Sequence, residues 1–159
     1  MPDSLVSACT SLDGVTVLWI SRYGAGGNLF LDLEAVEALT ASPLAALDEL
    51  IDLVPITFRA DWAMRVCRAD AGVKILHSTS AAPEIVDGVV DWFPLERPAR
   101  VDVPEDWERW TSTLVAAAPL GDKDELVLFG RRGGPAILDS ELARLGHLAA
   151  LAVSIARAG

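Results

Sequence analysis

The sequence predicts an α+β fold, and three observations carry that prediction. Two stretches of strand-forming residues, 62–79 and 112–130, are each interrupted once by turn-forming residues. Helical periodicity runs through 43–54 and 139–155, and a proline-interrupted segment, 80–110, lies between the two strand-rich stretches. Strands joined by a short turn pair antiparallel, and runs of strands kept apart from runs of helices give an α+β layout rather than alternating βαβ units. The 159 residues make about one domain, and at that length folding removes about 68–70% of the unfolded surface from water, enough for a core without metal or disulfide staples.

The first element is Val15-Thr16-Val17-Leu18-Trp19-Ile20, an apolar β-branched run between Gly14 and the turn-forming stretch Tyr23 to Asn28, which reads as a strand buried on both faces. Residues 28–33 could return as a partner strand, or Asp32 could cap a short helix with Leu33, Val36 and Leu39 on one face; the helix is preferred. Ser42-Pro43 is a stronger start, a hydroxyl cap before a proline whose missing N–H costs nothing at the first helical position. Leu44, Leu47, Leu50, Ile51 and Val54 then share one face, and Pro55 is expected to stop the helix.

Residues 62–68 and 73–79 flank Ala69-Asp70-Ala71-Gly72 and read as a hairpin. Strand period two sets Ala63, Arg65 and Cys67 on one side and Trp62, Met64, Val66 and Arg68 on the other. The segment 80–110 carries Pro83, Pro94, Pro98 and Pro104, which oppose long regular elements, but also three of the five tryptophans, Trp92, Trp107 and Trp110. Indoles are rarely left in water, so this segment is expected to fold back over an apolar surface. A second hairpin is expected from 112–118 and 125–130. Beyond it, Asp139 is expected to cap a terminal helix with Leu142, Leu145, Leu148, Ala149, Ala152 and Ile155 along one stripe, and small residues that permit close approach of another helix.

Thirteen Lys and Arg against 23 Asp and Glu leave a net charge of −10. Such a charge repels phosphate backbones and anionic headgroups, so neither nucleic acid nor a membrane is expected as a partner. Cys9 and Cys67 form no C-x-x-C pair, and Met1-Pro2-Asp3-Ser4 opens no basic and apolar leader. A reduced, cytoplasmic setting is expected.

The final third carries a resemblance. Leu114-Val115-Ala116-Ala117-Ala118-Pro119-Leu120, then Glu125-Leu126-Val127-Leu128-Phe129-Gly130-Arg131-Arg132-Gly133-Gly134, then Asp139-Ser140-Glu141-Leu142 and an Ala/Leu-rich helix follow one another as in GAF domains. With the hairpin at 62–79 and the helix at 43–54, the resemblance covers residues 43–159. Asp124-Glu125 stands where that family usually has a glycine, and residues 1–40 match nothing in its pattern. The resemblance implies a GAF-like central antiparallel sheet with helices on one face and an irregular lid on the other, enclosing a small-molecule pocket. It also divides the chain into an N-terminal extension, residues 1–40, packed on or beside the core, and a GAF-like domain, residues 41–159.

Little in the chain speaks for catalysis. There is no G-x-S-x-G, and the two histidines, His77 and His147, fall in different elements, which suits neither a nucleophile–base pair nor a zinc cluster. Cys67 reads as an inert core thiol. No metal or cofactor is expected, although one histidine would suffice as an axial haem ligand. The loop Gly130-Arg131-Arg132-Gly133-Gly134 reads as a solvated connection, with an anion site beside the following helix as the alternative. Trp92, Phe93, Trp107 and Trp110 could wall a pocket or plug the open face of the sheet. In the pocket version Arg65, His77 and Thr113 would supply the polar contacts. The expectation is a non-enzymatic sensory or regulatory domain that binds a small molecule and signals through a homodimer packed along Leu145, Leu148, Ala152 and Ile155. The alternative is a pocketless protein-interaction module.

Overall fold

The computed structural model describes residues 7–14, 27–86 and 90–159, with backbone alone for 27–30. The strand expected at Val15–Ile20 lies outside the described residues. Helix α1 (Gly27–Ala41) is followed by a 3₁₀ turn (Pro43–Ala45), helix α2 (Ala46–Thr57), strands β1 (Trp62–Ala69), β2 (Gly72–Ser78) and β3 (Ala99–Val101), a second 3₁₀ turn (Glu108–Trp110), strands β4 (Thr113–Pro119) and β5 (Glu125–Arg132), and helix α3 (Asp139–Ala158). The strands form one antiparallel sheet in the order β2-β1-β5-β4-β3. Both expected hairpins are present, the first with Ala69 opposite Gly72 across two loop residues.

Period two divides the molecule into two cores, one on each side of the sheet. Ala63 of β1, Ala116 and Ala118 of β4, and Val127 and Phe129 of β5 face the helices, where Ala35, Leu39, Leu50, Ile51, Val54, Leu145, Ala149 and Ala152 meet them. Trp62, Met64 and Val66 of β1, Val115 and Ala117 of β4, and Leu126 and Leu128 of β5 face the irregular residues 82–85 and 90–110. Ala116 and Ala118 of β4 let α3 lie close on the sheet, while the larger β5 side chains fill the middle of both cores.

Several local readings need correction. Helix α1 begins at Gly27, ahead of Asp32, and Asp32 forms a bidentate ion pair with Arg144 of α3 at 2.6 and 2.9 Å instead of capping. Among its described side chains Ala35 and Leu39 are buried, while Leu33 is exposed. Ser42 makes no cap bond, Leu44 is 90% exposed, and Ala46 is buried in its place, because the 3₁₀ turn rotates the start of the helix away from the expected 3.6-residue phase. Pro55 does not end α2: the Phe58 N–H reaches the Val54 carbonyl at 2.9 Å and closes one more turn beyond the proline. The edge strand β3 was not expected among prolines. It survives because an edge strand needs pairing on one side only. Asp139 is the first residue of α3 rather than its cap; it pairs with Arg100 at 2.9 Å.

The loop arginines divide. Arg132 is exposed, whereas Arg131 is buried and its guanidinium donates to Glu141 (2.6 and 3.3 Å), to the Phe58 carbonyl and to the Pro135 carbonyl at 3.2 Å. That guanidinium joins β5, the end of α2 and the start of α3 and is not an anion site. Glu141 also accepts the Leu138 N–H at 3.1 Å, so it closes the first turn of α3. Burial opposes the charge on Glu141, but the Arg131 guanidinium and the Leu138 N–H outweigh it and hold the carboxyl below its ordinary value. A carboxyl depressed in the folded state stabilises above its unfolded value, 4.5, and the contribution is lost as pH falls through the folded value. Glu141→Gln should therefore cost about 3 kcal/mol in urea unfolding at pH 7, by leaving Arg131 without its counter-charge. The gap from wild type should narrow below the unfolded value; a gap independent of pH would contradict the assignment.

Candidate functional site

Trp62 is the first residue of β1 and lies opposite Gly130 of β5. Its indole rests on the glycine: a Cβ at Gly130 would stand 2.1–2.5 Å from three ring atoms of Trp62. Trp110 meets Trp62 edge-on at a centroid distance of 4.9 Å, Trp107 meets Trp110 at 5.2 Å, and Trp92 lies 5.7 Å from Trp107 and 5.8 Å from Trp110. All four indoles are at most 3% exposed. They occupy the lid side of the sheet, over Met64, Val66, Val115, Leu126 and Leu128. Two of them also fasten the irregular segment: Trp92 Nε1 donates to the Asp102 carbonyl at 2.8 Å and Trp110 Nε1 to the Glu84 carbonyl at 3.0 Å. A buried N–H needs such a partner, and here the partner is lid backbone that has little regular pairing of its own.

The sequence-predicted site residues separate into two groups. Arg65 and His77, paired across β1 and β2, do not join the tryptophans. They point to the helix side, where Arg65 contacts Asp48 at 3.0 Å and Glu125 at 2.5 Å, and His77 Nε2 lies 3.0 Å from Asp52. The period-two reading of β1 already put Arg65 on the face opposite Trp62. Trp107, Trp110 and Thr113 do come together, along a cleft of about 530 Å³ where residues 102–105 part from residues 111–114. Arg100 lines the same cleft; nothing in the sequence singled it out, and its guanidinium is held by the Ile137 carbonyl and Asp139. Phe93 is half-buried beneath the Arg68 guanidinium, 5.7 Å from its ring centre. Cys67 is half-buried and carries a free thiol.

In α3, Leu145, Leu148 and Ala152 are buried in the core of this chain and Ile155 packs at its edge. Three of these four residues therefore face the sheet and helices of the same chain. The exposed face carries Ala143, His147, Ala150 and Ser154 instead. These line an open groove of about 710 Å³ between α3, Leu95–Pro98 and the β4–β5 turn.

The packed indoles make a direct prediction. Gly130→Ala should destabilise by about 1–3 kcal/mol, since Trp62 must move. Trp110→Ala should cost about 3–5 kcal/mol and leave a cavity. Added indole should then raise the melting temperature of Trp110→Ala and leave wild type unchanged; a wild type stabilised as much as the variant would mean that the space was open already.

No family model and no curated protein matches the sequence. Solved structures do match the fold. A GAF domain from Pseudomonas syringae pv. tomato, assigned to a sensor histidine kinase, is similar with a TM-score of 0.59 at 15% identity, over 84% of this chain and 88% of that one. The A. aeolicus nlh2 GAF domain in an inactive state is similar with a TM-score of 0.55 at 10% identity, over 82% of this chain and 98% of that one. With its five-stranded antiparallel sheet, helices on one face and an irregular lid on the other, this chain has the GAF-domain fold.

Proposed function

We propose that this chain is a non-enzymatic sensory or regulatory domain that works by protein contact, with the space between sheet and lid closed to ligands. The mutual packing of Trp62, Trp92, Trp107 and Trp110 carries this reading. Four nearly buried indoles in edge and tilted contact occupy the volume where a small molecule would have to lie, and close-packed interiors do not open without a cost. The GAF folds it resembles include one assigned to a sensor kinase and one described in an inactive state, which supports a regulatory role as fold-level analogy.

The contact surface we assign to a homodimer is the outer face of α3. Ala143, His147, Ala150 and Ser154 recur at intervals of four, three and four, the spacing of a helix-pair seam, and the small side chains of Ala143, Ala150 and Ser154 favour close approach of two helices. A second reading, small-molecule binding in the sheet-edge cleft, draws on the convergence of Trp107, Trp110, Thr113 and Arg100 there.

Native mass spectrometry of wild type should show a dimer that Ala150→Glu converts to monomer, without change in the far-ultraviolet circular dichroism. A panel of nucleotides, amino acids and organic acids should leave the tryptophan emission of wild type unchanged. A saturable change in emission that Thr113→Ala abolishes would favour the edge cleft over the contact reading.

A further inference from the structure

The groove along α3 is built from three parts. Ala143, Gly146, Ala150 and Val153 form its floor. Leu95–Pro98 forms one wall, and it can lie against the helix because residue 146 is glycine: a Cβ there would stand 2.5 Å from Pro98 Cγ. The β4–β5 turn forms the other wall, with Gly121 over Val153 and beside the Arg157 guanidinium. The Leu95 N–H donates to the Lys123 carbonyl at 3.0 Å, which ties the two walls together. The floor and its Leu95, Pro98 and Pro119 margins are apolar, and the volume falls in the range of small-molecule sites, about 300–1,000 Å³.

Its rim holds Arg97, Lys123 and Arg157, beside Glu96 and Asp122. Among the described residues, Arg65, Arg68, Arg100, Arg131 and Arg144 all have carboxylate partners. Among the described residues, the side chains of Arg97, Lys123 and Arg157 make neither an ion pair nor a hydrogen bond, although the chain has ten more acidic than basic residues (23 against 13). Asp122 is engaged within the turn, where it accepts the Asp124 N–H at 2.7 Å. Three unpaired cations thus surround an apolar concavity in a protein rich in carboxylates that could have neutralised them.

We infer that this groove binds a small anionic amphiphile, its apolar body on α3 and its carboxylate, sulfonate or phosphate among Arg97, Lys123 and Arg157. The cations hold the acid group by charge-assisted hydrogen bonds, and the alanine and glycine floor admits a flat or extended apolar portion. Binding does not depend on the contact reading. Where that reading holds, ligand and partner helix compete for one face, so the anion favours the monomer.

The test uses two fluorescent probes on the full chain: anilinonaphthalene sulfonate, which is anionic, and N-phenylnaphthylamine, its uncharged counterpart. Wild type should bind the sulfonate saturably at one site. Arg97→Ala, Lys123→Ala and Arg157→Ala combined should weaken that binding by about tenfold or more, because hydrogen bonds to charged groups are the strong ones, and should leave the neutral probe unaffected. Ala150→Trp, which fills the groove from an exposed helix position, should abolish both signals, while Lys74→Ala with Arg109→Ala should alter neither. Equal sulfonate affinity in wild type and the triple variant would overturn the proposal, as would absence of sulfonate binding. Sedimentation separates the two readings. A monomeric wild type with charge-dependent sulfonate binding ends the helix-pair reading and retains the site, and a dimer without charge-dependent binding does the reverse.

Discussion

The contact of Trp62 with Gly130 sets the geometry of the lid side. Only a residue without Cβ lets the Trp62 indole rest on β5, and Trp110, Trp107 and Trp92 then pack on it and on one another in edge and tilted contacts. The lid has little secondary structure to hold it, so its position follows from this ring cluster and from two indole N–H bonds to its own carbonyls. Each large aromatic removes roughly 150–250 Å² from water, and together they give an irregular segment the anchoring that a helix would obtain from its own backbone ladder. The same packing that orders the lid fills the space beside Trp62 and Trp110 with indole rings.

The helix side is organised differently. Its core is aliphatic, and its margins are stitched by guanidinium groups that each reach several elements: Arg131 to Glu141 and the end of α2, Arg144 to Asp32 of α1 and the Thr57 carbonyl, Arg65 to Asp48 of α2 and Glu125 of β5. Arg144 also lies 4.8 Å above the Phe58 ring, which stacks on Phe129. Planar, multiply donating guanidinium groups suit such junctions, where helix-end carbonyls and carboxylates need partners at once. Lys74, Arg109 and Arg132 also make no ion pair among the described residues, but what sets Arg97, Lys123 and Arg157 apart is that they gather around one groove beside α3. Among the described residues, no helix is long and apolar enough to cross a membrane.

Period two was legible wherever a strand was buried on both faces. The alternation in residues 62–68 placed Trp62, Met64 and Val66 together and put Arg65 opposite them, and the structure keeps that division. The pocket reading set it aside by gathering Arg65 and His77 with the tryptophans. Helix phase was less legible. Leu44 looked like the first member of an apolar stripe, but a 3₁₀ turn precedes α2 and shifts that position into solvent. The stripe Leu145, Leu148, Ala152 is one buried face of α3, but a stripe in the sequence shows only that something covers it. Whether that is the same chain or a second one depends on where β4 lies.

By itself the sequence determined the two hairpins and the helices that flank them, and that an aromatic, proline-interrupted segment must cover apolar surface, because side-chain period and desolvation act locally. Tertiary structure decided what fills the space under that segment, which face of α3 remains open, and which arginines are spent on carboxylates. Those outcomes depend on pairs as distant in sequence as Trp62 and Gly130 or Asp32 and Arg144, and no local pattern encodes the distance between residues that meet only when the sheet and helices are packed.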